Sequence, residues 1–134
     1  MAGLATIYMN LAAKQTGEQQ KASFKKADNV YARLGEKFPA NLDFANFMRA
    51  RINSNLDPET KEGLAKPFYE AIVNSLANKT DRDKADNARL TEAYRYLGYY
   101  YLVKNDKAMA DGYWKKVLEI DPENETAKQA LGIK

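Results

Sequence analysis

The sequence predicts an all-α chain built from paired antiparallel helices, and three observations carry that prediction. Apolar and small residues recur at helical spacing. Tyr94, Leu97, Gly98 and Tyr101 fall on one stripe and Ala110, Trp114 and Val117 on a second, as a turn of about 3.6 residues requires. Prolines stand where helices must end, at Pro39 and Pro122, because proline brings no N–H to the helical ladder. A Leu-Gly pair also returns, Leu97-Gly98 and then Leu131-Gly132, at a period that marks a structural repeat.

Residues 91–124 read as one such repeat. Gly98 and Ala110 have little or no side chain, so two helices can approach closely there, and Tyr94, Tyr101 and Trp114 fill the space around them. Asn105-Asp106 supplies the turn between the helices and Pro122 the stop. This stretch resembles the tetratricopeptide repeat, with its W-x2-L-G-x2-Y, A-x3-F and P positions. Tyr94 stands for the Trp, Trp114 for the Phe, and Val117 where a small Ala is usual.

The resemblance extends along nearly the whole chain. In the first unit Tyr8, Leu11 and Ala12 match Tyr94, Leu97 and Gly98, followed by a second-helix stripe of Phe24, Ala27, Tyr31 and Leu34. In the second, Leu42, Ala45, Met48 and Ile52 form a first-helix stripe, and Ala65, Tyr69 and Ile72 match Ala110, Trp114 and Val117. Asp57-Pro58 predicts an N-cap with proline in the first turn, a short helical turn over 59–62, and a second helix starting close to Pro67. The polar stretch 78–87 is either a loop or an early start of the next helix with Asp83 as its cap. The tail after Pro122 reads as one capping helix. The expected organisation is a single domain over 1–134, with units of about 4–40, 41–78 and 91–124 and a capping helix over 125–132. The resemblance implies that the helix pairs stack into a right-handed solenoid.

Composition narrows the function. The chain has 134 residues, 45% hydrophobic and 29% charged, with 21 basic and 18 acidic residues and a net charge of +3. The two signs are interleaved, which argues against nucleic acid, since that needs clustered Lys and Arg. There is no Cys and no His, which removes thiol nucleophiles, the commonest zinc ligands and the commonest neutral-pH base. No cofactor or metal is expected. Asp81, Asp83 and Glu92 have the spacing of three ligands in an EF-hand loop, but Asp86 occupies the turn-glycine position and Ala85 another ligand position. The seven glycines are scattered and form no phosphate loop.

No apolar run reaches the ~20 residues needed to span a bilayer, so no membrane insertion is expected. The N-terminal MAGLATIYMNLAAK has no basic residue ahead of its apolar part. It reads as an amphipathic helix rather than a signal peptide, as in a domain excised from a longer protein. The compartment stays open: the cytoplasm is the simplest reading, and a periplasmic or extracellular one needs a signal outside this chain.

The resemblance implies a protein-binding surface, with the first helix of each pair lining a concave groove. On those helices the candidate contact residues are Asn46 and Asn53 in the second unit and Glu92, Arg95, Tyr96 and Tyr99 in the third. Asp43 and Ala50 are expected on the same face as the two asparagines. Rigid amphipathic tyrosines suit binding surfaces, and an Asn amide can pair with an extended backbone. The Lys/Asn/Arg clamp by which some three-repeat members hold chaperone tails is not matched, because Glu92, Tyr96 and Phe47 occupy its positions. The expected function is capture of a partner's peptide or helix. The alternatives are a structural spacer or self-association segment, favoured by an exposed apolar face at Leu4, Ile7 and Leu11, and the non-catalytic helical arm of an enzyme.

Overall fold

The computed structural model describes residues 2–133. Among them are seven α-helices and no strand: α1 (Ala2–Lys14), α2 (Gly17–Lys37), α3 (Leu42–Leu56), α4 (Lys66–Leu76), α5 (Lys84–Val103), α6 (Lys107–Ile120) and α7 (Glu125–Leu131), with a 3-10 turn, Pro39–Asn41, ahead of α3. None of the described helices is long and apolar enough to cross a membrane. The chain divides into two compact units, Met1–Phe68 and Tyr69–Lys134, with the boundary inside α4.

In the first unit the small residues Ala5, Ala12, Ala27 and Ala45 are wholly or almost wholly buried, and the larger Phe24, Val30, Tyr31, Leu34 and Ile52 close around them. The chain reverses between α1 and α2 at Gly17, whose φ of +59° is accessible to glycine at little cost. Gln20 Nε2 donates to the Ala12 carbonyl at 2.9 Å and so satisfies an orphan acceptor at the end of α1. α2 and α3 meet closely at Gly35, where an added Cβ would lie 3.0 Å from Leu42 Cδ1. The Tyr31 ring meets Phe44 edge-on, with centroids 5.9 Å apart. Leu42 itself stays largely exposed, although Ala45 and Ile52 of its predicted stripe are buried.

The link from α3 to α4 departs from expectation. No helical turn forms over 59–62. Asp57 is buried, and its carboxylate accepts hydrogen bonds from the amides of Lys61, Glu62, Gly63 and Leu64, the shortest 2.8 Å from Gly63. Pointing those amides inward requires left-handed backbone at Thr60 (φ +57°) and Gly63 (φ +72°), which is incompatible with a helix. α4 then begins at Lys66 with Pro67 in its first turn.

In the second unit α5 starts at Lys84. Asp83 accepts from the Asp86 amide, and the Asp86 side chain accepts in return from the Asp83 amide, a complete capping box. The hydrogen bond from Lys79 holds the Asp86 carboxyl below its ordinary range. Asn105, in left-handed backbone, turns the chain into α6, whose N-cap is Asp106. Leu90, Ala93, Leu97, Ala110, Trp114, Val117 and Ala127 form the buried face. Gly98 lies directly under Trp114: a Cβ there would be 2.7 Å from Trp114 Cε2. Burial raises the Tyr94 pKa above its ordinary value. Tyr101 is only half-buried; it stacks at 8° on Tyr113, with centroids 5.7 Å apart. α7 is capped by Asn124 at its start and by left-handed Gly132 at its end.

Two stability predictions follow from these contacts. Gly98→Ala is expected to cost about 1–3 kcal/mol despite a helix-propensity gain of about 1 kcal/mol, and Gly98→Leu more, because the indole cannot yield to a Cβ at that distance. Urea denaturation measures this, and an unchanged midpoint would remove the close approach as a determinant of stability. Asp57→Ala is expected to cost about 2–3 kcal/mol through loss of charge-assisted bonds to several amides. Faster amide exchange confined to residues 61–64 would accompany it.

Candidate functional site

The candidate residues lie on α3 in the first unit and on α5 in the second, and each helix treats its set differently. On α3, Asn46, Arg49 and Asn53 are spaced three and four residues apart and share one stripe. Asp28 of α2 organises it. Its carboxylate accepts from Arg49 Nε at 2.9 Å and Nη2 at 3.1 Å, and from Asn53 Nδ2 at 3.0 Å. The same Asn53 amide donates to the Arg49 carbonyl at 2.8 Å. The Arg49 guanidinium also lies over the Phe68 ring, 4.4 Å from its centroid. Asn53 is thus committed to an internal network. Asn46 is half-buried and borders a cavity of about 300 Å³ with Tyr31, Gly35, Leu42 and Arg49. Ala50, expected on the open face, is fully buried. Helix rotation explains this: Ala50 follows Arg49 by about 100° and falls on the side occupied by Phe47.

On α5 the four candidates form two pairs. Tyr69 of α4 donates its hydroxyl hydrogen to Glu92 Oε2 at 2.9 Å and stacks on Tyr96, with centroids 4.7 Å apart and planes at 29°. Glu92 and Tyr96 are therefore held against α4. Arg95 and Tyr99, one turn apart, face outward. Tyr99 is 48% exposed, Arg95 is exposed, and neither has an ion pair, hydrogen bond or ring contact among the described residues. Two of the three acidic residues with EF-hand-like spacing have structural roles: Asp83 caps α5 and Glu92 receives the Tyr69 bond.

No family model matches the chain, and no curated protein matches it. Among solved structures, the C-terminal part of a TPR repeat-containing protein from Cytophaga hutchinsonii is similar over 95% of this chain, with 33% sequence identity and a TM-score of 0.75. The fold is tetratricopeptide-like. The chain spans about half of that protein chain, 46% of its length.

In this tetratricopeptide-like chain, sequence reasoning missed the second-helix residues that organise the first-helix faces. Arg49 was legible in principle, since it shares the i+3 and i+4 spacing of Asn46 and Asn53. Asp28 and Tyr69 carried no such signal, because each meets its partner through packing between helices more than twenty positions apart in sequence. A double-mutant cycle with Asp28→Ala and Arg49→Ala is expected to give a coupling energy of about 1–3 kcal/mol, as for a bidentate, partly buried pair. Additivity within error would reduce the pair to a surface contact.

Proposed function

We propose that this chain is a non-catalytic protein-interaction module that captures a peptide or helix of a partner on the first helices of its pairs, in the concave groove of a tetratricopeptide arrangement. The observation that carries the reading is the pairing of Arg95 and Tyr99 on α5: an uncommitted guanidinium and a half-exposed phenol ring one helical turn apart, on a helix whose opposite face is core. A rigid aromatic and a planar cation are the residue types that dominate binding energy at protein interfaces. Glu92 and Tyr96 support them from the side fixed by Tyr69. On α3, Asn46 beside its cavity is the corresponding contact, with Arg49 held in place by Asp28, whose carboxylate Asn53 shares. The division into units of about 4–40, 41–78 and 91–124 with a capping helix belongs to the same proposal.

A second reading, that the chain is a spacer or self-associating segment, draws on a different observation. Leu4, Ile7 and Leu11 lie along one stripe of α1 and are 47%, 56% and 44% exposed. Such a stripe is a ready surface for another helix.

One experiment separates the two. The wild-type chain is used for affinity capture beside an Arg95→Ala, Tyr99→Ala variant and an Ile7→Glu, Leu11→Glu variant. The alanine variant is expected to melt within about 1 kcal/mol of wild type, because both side chains are exposed, and to lose the captured partner. Retention of the same partner by the alanine variant and its loss by the glutamate variant would transfer the function to α1.

A further inference from the structure

The second unit carries another surface, away from Arg95 and Tyr99, with a charge balance of its own. Two cavities adjoin on it and share Lys116. The first, about 220 Å³, is lined by Ala108, Met109, Gly112 and Tyr113 on the outer side of α6. Met109 is 44% exposed there, and nothing lies within 4 Å of where a Gly112 Cβ would be. This compartment is apolar and open, of a size to take one bulky side chain. The second, about 340 Å³, opens beside it and is lined by Asn78, Arg82, Asn87, Tyr94, Lys116 and Glu119 among others. The Tyr94 and Tyr113 rings, 6.1 Å apart, join the two.

The polar compartment offers pre-positioned donors. Arg82 Nε donates to Asn87 Oδ1 at 2.8 Å, and Nη1 donates to the Ala77 carbonyl at 2.9 Å and the Leu76 carbonyl at 3.3 Å. These bonds lock the guanidinium plane and leave Nη2 without a partner among the described residues. They also use the Asn87 side-chain carbonyl and leave its NH2 without a partner among the described residues. Lys116 lies 5.7 Å from the Tyr94 ring centroid and has no carboxylate partner among the described residues. Glu119 is the one acid in the lining. One fixed guanidinium and one exposed ammonium against one carboxylate favour a singly charged planar anion over a phosphate dianion, which Glu119 would repel and which a guanidinium with one remaining amino group could not grip on several oxygens.

We propose that these adjoining cavities bind an extended peptide segment in which a bulky apolar side chain and a carboxylate side chain stand two residues apart, so that both point to the same face. The apolar residue enters the Met109–Gly112–Tyr113 compartment, and the carboxylate accepts from Arg82 Nη2 and Lys116 Nζ. This second docking surface does not depend on the α5 face proposed above.

The test is an NMR titration of the isotopically labelled chain with two probes, acetyl-Gly-Phe-Gly-Asp-Gly-amide and its isosteric Asn analogue. The Asp peptide is expected to shift the Arg82 Nε–H and the Gly112 backbone amide, and to bind about tenfold more tightly than the Asn peptide, the ratio for about 1.4 kcal/mol from a charge-assisted contact. A Cβ at Gly112 would have nothing within 4 Å, so Gly112→Leu, whose side chain would occupy the open apolar compartment, should keep the fold and abolish binding. Lys116→Gln, at an exposed position, should reduce the difference between the probes, the remainder coming from Arg82. Arg82 is left intact because it closes the end of α4. Equal binding of the two peptides, absence of shifts at Arg82 and Gly112, or binding unaffected by Gly112→Leu would overturn the proposal. Shifts confined to Arg95 and Tyr99 would overturn it while supporting the α5 face.

Discussion

The indole of Trp114 rests on bare backbone at Gly98, closer than any Cβ would permit, and the arrangement of α5 and α6 follows from that contact. Interaxial distance between packed helices is set by the side chains at the crossing point. With no side chain on one helix and a large flat ring on the other, the two approach until the ring is covered. The neighbours then have fixed positions: Leu97, Ala110 and Val117 are fully buried around the contact, and Tyr94 is sealed beside it. The indole N–H lies in this contact without an acceptor among the described residues, a cost that the buried aromatic area offsets. The first unit uses the same device with less extreme partners, where Gly35 admits Leu42 and Ala45 of α3.

Helices packed this closely leave their ends and connections to be satisfied separately, and buried or fixed polar side chains do that. Asp57 gathers the amides of the α3–α4 link. Arg82 gathers carbonyls at the end of α4, and Asp83 and Asp86 cap the start of α5. Each replaces water for backbone groups that no helix or sheet satisfies. Arg82 also lines the cavity beside Lys116, and its bonds to carbonyls and to Asn87 leave Nη2 without a partner among the described residues.

The two proposed surfaces of the second unit share one principle: side chains become available for binding where the packing has no use for them. Tyr69 takes up Glu92 and Tyr96, leaving Arg95 and Tyr99 of the same helix to solvent. Trp114 and Val117 of α6 are spent on the core, while Met109, Gly112 and Lys116 lie outside it. On α3 the balance differs, since Asp28 engages both Arg49 and Asn53 and leaves Asn46 as the less committed polar group.

Residue size and spacing alone determined the helical class, the likeness to the tetratricopeptide repeat and the core stripes of α2 and α6, because burial along a helix depends on local periodicity and on where glycine, alanine and aromatics fall. The outward position of Tyr99 was legible for the same reason: consecutive tyrosines at 99, 100 and 101 cannot share one face. The fold of the α3–α4 link was not legible, because a buried Asp that draws amides inward and an Asp that caps a helix look alike in sequence. Nor were the Asp28–Arg49 and Tyr69–Glu92 contacts, which exist only once helices distant in sequence lie side by side. Which polar residues are spent on the structure and which remain for a partner is therefore decided by tertiary packing, since a side chain's availability depends on neighbours that its own segment does not supply.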